Sequence, residues 1–541
     1  MKSIPGTITP RNPRRSRRKK ALRLSALALC AALLAPVCAL ASSVPTSVRV
    51  ALISPSDLPM RPLEIMDRDM VSVLDLVYES VVELNDDRQP EMGLGLAESW
   101  EVSNNGQVWI FTLRQGVYFH DGREMKASDV AATMDAIAAI ARDESREDNQ
   151  KGLYCKLPDM ISSWTAEDDY TLTVRTDRPY YGLLYIMTFP VLQAQSIYDD
   201  NPPGTGPYRM DYYAPGDTLY LSGNQNWWGG SIPYISEIKG IWYEDIDAAL
   251  TAFEAEEVDI VMTRSTSALR YRGTISSRVN VYDYATRQLE CLMMSNAKQL
   301  ATLEMRQAVV YAIDKSRLIT GVYQDMVTTT DTLESPASWL YNESTVRYEY
   351  NPQRAIELLE GLGWTDVNDD GYRFKRTESG DTVLNLRLAY YDEAGSTLRR
   401  EAANEIATML KAVGIQTTMT AYSFENAMKK LATNVRDYDL FLCAYNFDTP
   451  PDPSFILLSN GYGNSAGYRS DEMNALCQEL RKAYEAETFR EVWFDIQALA
   501  AQDLPFWPLY WRDGVVLTRY PYSSVRDIRE YELLSSIEQV K

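Results

Sequence analysis

Histidine is almost absent from this 541-residue sequence; His120 is the only one. A histidine-rich transition-metal site therefore cannot be assembled, and a serine hydrolase would lack its imidazole base. Cysteine is scarce too. The six cysteines form no CxxC pair; Cys30 and Cys38 fall in an apolar leader, and Cys155, Cys291, Cys443 and Cys477 are far apart. No thiolate cluster replaces the missing imidazoles, so neither a metal site nor a cofactor is expected. In an oxidising compartment the four later cysteines have three possible pairings, but Cys443 lies in an apolar strand-like run and reads as a buried thiol. Basic charge is also thin after the first residues. Nine Lys and Arg from Lys2 to Arg23 precede the first acid, Asp57, and without them the net charge goes from -21 to about -30. A body so acidic repels nucleic acid and anionic lipid, so neither is expected as a partner.

The first 41 residues read as an export signal. A positive stretch, Arg14-Arg15-Ser16-Arg17-Arg18-Lys19-Lys20, precedes the apolar Leu22 to Leu40, and Ala39-Leu40-Ala41 offers a small-x-small cleavage site. The stretch is also long enough for an uncleaved anchor. Pro36-Val37 argues against lipidation at Cys38. No later segment approaches a membrane-spanning length, which points to a soluble body and an extracytoplasmic location.

Past the leader the pattern is α/β. Val48 to Ile53 is an apolar strand. Trp109, Phe111 and Leu113 alternate with Ile110 and Thr112 after an Asn105-Gly106 hairpin turn. Ser128 is placed to cap a helix whose apolar face includes Val130, Met134, Ile137 and Ala141. Later, Leu384, Leu386, Leu388 and Tyr390 alternate as a strand, and Leu398, Ala402, Ile406, Met409, Leu410 and Val413 follow at helical spacing up to Gly414. Ile415, Thr417, Met419 and Ala421 alternate again, completing one βαβ unit. A short helix around Glu425 to Leu431 leads to a strand, Tyr438 to Tyr445.

Two motifs imitate chemistry. Gly463-Asn464-Ser465-Ala466-Gly467 fits the GxSxG elbow of hydrolases, but no histidine follows it. It reads as a glycine-rich loop, and no catalytic residue is expected. Asp366-Val367-Asn368-Asp369-Asp370-Gly371 opens like a calcium loop, yet its twelfth position is Thr377 rather than a bidentate glutamate. That segment reads as a solvated turn.

Several stretches resemble the family 5 extracytoplasmic solute-binding proteins of ABC importers, the oligopeptide, dipeptide and nickel binders. The likeness runs in order from about Asp75 to Leu517. It is carried by Leu96 to Ser103, Phe111-Thr112-Leu113-Arg114, Gly116 to Gly122 and Ala127-Ser128-Asp129-Val130. Gly204-Thr205-Gly206-Pro207-Tyr208, Asn226-Trp227-Trp228, Arg306-Gln307-Ala308, Ala312-Ile313-Asp314-Lys315 and Ala355 to Trp364 extend it. The resemblance implies an α/β, two-lobed, periplasmic-binding-protein-like clamp of type II in the large family 5 form, with an extra α+β subdomain in lobe one. After a signal at 1–41, lobe one is expected at 42–285 with its subdomain at about 71–184. Lobe two is expected at 286–505, and a return to lobe one at 506–541. The crossings are placed near Asn280 to Asn296 and Ala501 to Trp511.

The resemblance also implies ligand contacts. In the peptide-binding branch an aspartate after a second-lobe strand pairs with the peptide's α-ammonium, and an ungapped count from Tyr438-Asp439 puts it at Asp448. Tyr445 and Phe424 stand at positions that are tryptophan in peptide binders, and Asn446 completes the candidate set. Two departures leave the far end of the ligand open. Leu442 stands where some relatives carry an arginine for the ligand carboxylate, and the turn Asp448 to Pro453 is one residue longer than usual. The expected activity is capture of short peptides in a hinged cleft by a monomer, for delivery to an ABC permease. The alternatives are the same fold binding an oligosaccharide or chelated metal, or a peptide-sensing surface protein without transport.

Overall fold

The computed structural model describes residues 46–53, 60–147, 150–230, 233–272, 279–378, 380–393, 396–432, 437–447, 451–522, 528–535 and 537. The export signal assigned to 1–41, with Cys30 and Cys38, lies outside them. The expected candidate Asp448 and the Thr449-Pro450 part of its turn lie outside them as well.

An eleven-stranded sheet organises the described chain. Its strands are β1 (Ser47–Leu52), β2 (Tyr208–Ala214), β3 (Thr218–Gly223), β4 (Glu237–Trp242), β5 (Ile260–Thr263) and β6 (Asn280–Met294). They continue with β7 (Val327–Thr329), β8 (Asn385–Tyr391), β9 (Gln416–Tyr422), β10 (Leu440–Asn446) and β11 (Phe506–Thr518). The spatial order is β9-β8-β10-β6-β11-β5-β1-β4-β3-β2, with β7 added to β11.

The βαβ unit forms as its periodicity indicates. β8 pairs in parallel with β9, Asn385 opposite Gln416, and with β10 on its other side, Leu388 opposite Leu440. Between β8 and β9 the helix Leu398–Ala412 buries Ala402, Ile406, Met409 and Leu410 at three- and four-residue spacing. Gly414 ends it at φ +88°, where an added Cβ would also meet the Arg373 side chain at 2.6 Å. Between β1 and β2 the chain builds a separate four-stranded antiparallel sheet, with Val108–Leu113 and Thr171–Thr176 at its centre. Its hairpin turns through Asn105 (φ 54°) and Gly106 (φ 85°), both left-handed as such a turn requires.

The helix packed on that small sheet starts differently from the expectation. It spans Ala127–Arg142, and Lys126 rather than Ser128 is the capping position. Asp129 accepts the Lys126 backbone N–H at 2.9 Å through one oxygen and the Ala194 N–H at 2.9 Å through the other. A carboxylate one turn in can therefore replace a serine cap while fixing the helix to a distant segment.

β6 and β11 hold the two halves of the sheet together. Asn280 to Ala285 pair with Thr518 to Asp513 beside β5; Leu289 to Met293 pair with Trp511 to Phe506 beside β10. The register shifts between Ala285 and Leu289, so the ladder is interrupted where the halves join. Distinct apolar clusters lie on the two sides: Phe253, Val261, Val515 and Leu517 on one, Leu292, Leu388, Ile406 and Trp507 on the other. Cys291 faces Cys443 across β6 and β10; both are buried free thiols, and burial pushes their pKa values upward.

Candidate functional site

The register break opens onto contiguous cavities. One, of about 120 Å³, is lined by Asp75, Tyr78, Glu83, Tyr154, Tyr185 and Arg287 among others. A second, also about 120 Å³, is lined by Thr286, Arg287, Glu334, Phe447, Trp511 and Glu530 among others. The two share Leu84, Tyr185, Arg287 and Glu532. A third, of about 520 Å³, shares Asp75, Glu83 and Glu532 with the first and adds Glu79, Asp86, Asp87 and Glu91. That size falls in the range of small-molecule sites, roughly 300–1,000 Å³.

Residues from distant parts of the chain close over this space. The Trp339 backbone N–H donates to the Asp87 carbonyl at 2.9 Å, and its indole N–H donates to the Tyr185 hydroxyl at 2.8 Å. The Tyr181 N–H donates to the Ala483 carbonyl at 2.7 Å, while its ring meets those of Trp339 and Phe489 at 5.9 and 5.2 Å. Phe447 and Trp511, edge to face at 5.8 Å, form an aromatic wall on the β10 side.

The cavities combine aromatic walls with charge of both signs. Glu79 accepts the Trp227 and Trp228 indole N–H groups at 2.9 and 2.7 Å, yet burial pushes its pKa up to about 7. Burial, reinforced by nearby Glu532, pushes Glu83 up to about 7 although the Ser80 hydroxyl donates to it at 2.7 Å. Glu334 and Asp513 are raised to about 7 for the same first reason, burial. Such carboxyls keep their protons in the folded state at pH values where the unfolded chain has released them. Their contribution to stability is therefore fully present below the ordinary carboxylate range, falls as pH rises toward about 7, and is lost above it. His120, lowered chiefly by burial, acts in the opposite direction but is a single group. Thermal melts at pH 5 and pH 8 check this; a higher melting temperature at pH 8 contradicts it.

Of the expected site residues, Tyr445, Asn446 and Phe424 are described. Tyr445 is half-buried, and its hydroxyl donates to the Gly463 carbonyl at 3.1 Å and contacts the Ser465 hydroxyl at 3.1 Å. Asn446 is exposed at the end of β10, paired across the ladder with Gln288 at the break. Phe424 is 59% exposed, starts the helix Phe424–Ala432 and packs edge to face on Tyr391 at 5.5 Å. None of the three lines the cavities above. Leu442 is wholly buried in β10. The residues that do line the break, Arg287, Phe447 and Trp511, escaped the sequence reading. Phe447 directly precedes Asp448, and Trp511 lies at the expected return crossing, but no local pattern marks Arg287.

The two imitation motifs are occupied by local structure. Ser465 is buried with its hydroxyl against Tyr445, and its carbonyl accepts from the Tyr438 hydroxyl at 3.1 Å. His120 is elsewhere, its Nε2 at 3.0 Å from the Gly206 carbonyl. In the acidic turn the Asn368 side-chain carbonyl accepts the Asp370 and Tyr372 backbone N–H groups, and Asp366 pairs with Arg376 at 3.5 Å.

Comparison with known proteins agrees with this architecture. The family described as bacterial extracellular solute-binding proteins, family 5 Middle, matches residues 91–467. The chain is 22% identical to the oligopeptide-binding protein AppA of Bacillus subtilis over 471 residues, 82% of this chain and 84% of that one. It is 23% identical to heme-binding protein A of Haemophilus influenzae over 465 residues, 80% and 81% of the two chains. The structure of the ABC transporter substrate-binding protein CtaP of Listeria monocytogenes superposes with a TM-score of 0.73 at 18% identity, covering 91% of this chain and 98% of that one. At that identity the superposition establishes the two-lobed fold.

Proposed function

The chain belongs to family 5 of the bacterial extracellular solute-binding proteins, and we propose that it captures short peptides between hinged lobes and passes them intact to an ABC permease. The observation that carries this reading is the cleft at the β6–β11 break, where aromatic walls meet carboxylates and a guanidinium. A free peptide is zwitterionic and partly apolar, and it needs all three. The lobes we infer are 42–285 with 506–541, and 286–505. The interrupted ladder between Ala285 and Leu289 gives a hinge, because few backbone bonds must change there when the lobes part. A ligand touching both lobes only in the closed form shifts the population toward closure, which a permease can distinguish. The similarity to a protein named oligopeptide-binding supports this ligand class. Among the described residues no helix is long and apolar enough to cross a membrane; we place the protein in the periplasm or on the outer face of the cell membrane, working as a monomer without catalysis.

A second reading, a chelated-metal solute, draws on the similarity to a protein named heme-binding. Releasing bound molecules from natively purified protein by denaturation and identifying them by mass spectrometry separates the two. Peptides of a few residues, recovered uncut, are expected. A macrocycle, a metal chelate or hydrolysed fragments overturns the reading.

A further inference from the structure

We propose that Arg287 is the subsite for the ligand's anionic end, taking the free C-terminal carboxylate of the bound peptide. The assignment rests on the peptide reading above and adds to it which end of the ligand is held at the hinge.

Arg287 sits inside the register break, with its backbone fixed from two sides. Its N–H donates to Glu530 at 2.8 Å, and its carbonyl accepts the Phe447 N–H at 3.0 Å. The side chain is half-buried, lies over the Tyr531 ring at 4.8 Å and lines both 120 Å³ cavities. Among the described residues no carboxylate forms an ion pair with its guanidinium. Other arginines around the break are paired: Arg512 meets Glu290 and Glu393 at 3.0 Å each, and Arg529 meets Glu532 at 3.8 Å.

This is unusual in a chain with 75 acidic and 54 basic residues. A guanidinium offers several N–H donors and no acceptor, and its partial burial without an acceptor is unfavourable. Five carboxyls line the two cavities with it, Asp75, Glu83, Glu334, Glu530 and Glu532; Glu83 accepts from the Ser80 hydroxyl at 2.7 Å, Glu530 from the Arg287 backbone N–H, and Glu532 pairs with Arg529. A planar carboxylate arriving with the ligand matches the fork of donors, and the pair strengthens as closure excludes water.

The test uses an equimolar mixture of tripeptides, prepared with free and with amidated C termini, and competition for the full-length protein. Wild type is expected to prefer the free acids by about tenfold or more, about 1.4 kcal/mol. Arg287→Gln should bring that preference close to unity while leaving affinity for the amides unchanged, and Arg287→Lys should restore part of it. Equal wild-type affinity for acids and amides, which needs no variant, overturns the assignment while leaving the peptide reading intact. So does an Arg287→Gln protein that loses acids and amides alike. If wild type binds neither set, the peptide reading itself fails and this assignment with it.

Discussion

Glu290→Ala is expected to lower the unfolding free energy by about 3–5 kcal/mol, the range for breaking a buried ion pair from one side. Glu290 is fully buried, and Arg399, at 1% exposure, donates to it through Nε and Nη2. Arg512 donates to it from β11 at 3.0 Å, and Glu393 lies 2.8 Å from Arg399 and 3.0 Å from Arg512. Burial opposes the Glu290 charge, but the two arginines outweigh it and hold its carboxyl below the usual range. Removing the carboxylate leaves two largely buried guanidiniums sharing Glu393 alone, which costs more than the pair gained. The double change Glu290→Met with Arg399→Met leaves Arg512 on Glu393 and should cost less than Glu290→Ala alone. Denaturant titration reads both, and a loss below about 1 kcal/mol for the single change would show the network contributes little. Its position gives the network a functional meaning. It joins β6, β11 and the helix Leu398–Ala412 immediately beyond the register break, next to the proposed hinge.

Asp448→Ala is expected to weaken binding of free-amine peptides by about 10- to 150-fold, the worth of a charge-assisted bond of about 1.5–3 kcal/mol. Its neighbour Phe447 lines the cleft and donates its N–H to Arg287 at the break. A carboxylate one residue further on is well placed in sequence to meet an ammonium. N-acetylated peptides should bind wild type as weakly as free peptides bind Asp448→Ala. At a ligand excess of a hundredfold over the dissociation constant, wild type should gain about 2.7 kcal/mol of stability and the variant far less. The unliganded variant should stay close to wild type in stability. Acetylated and free peptides binding equally well would remove Asp448 from the amine site. Acetylation tests the amine end and amidation tests Arg287, so the two ends of the ligand are separable.

The local elements were legible because each is written in a short window. Leu386 and Leu388 alternate because one face of β8 is buried, and Ala402, Ile406 and Met409 recur because one face of their helix covers β8 and β9. The lone His120 and the uneven charge excluded chemistries by inventory, with no structure needed. The cap falls at Lys126 rather than Ser128 because Asp129, three residues on, accepts the Lys126 N–H, and only the fold shows its second bond, to Ala194. The bonds from the Tyr445 hydroxyl to Gly463 and Ser465 were not legible, because they lie in a loop that no local pattern ties to β10.

By itself the sequence determined the α/β rhythm, the acidic character, the lack of a histidine-based catalytic or metal centre, and the family. Only the tertiary structure decided which side chains share the cleft. Arg287, Phe447, Trp511, Tyr185 and Glu83 come from five separate segments, and Arg287 stands out because among the described residues no carboxylate pairs with its guanidinium. A missing partner is a property of three-dimensional packing: the one-dimensional chain shows which charges exist, and folding settles which of them are paired.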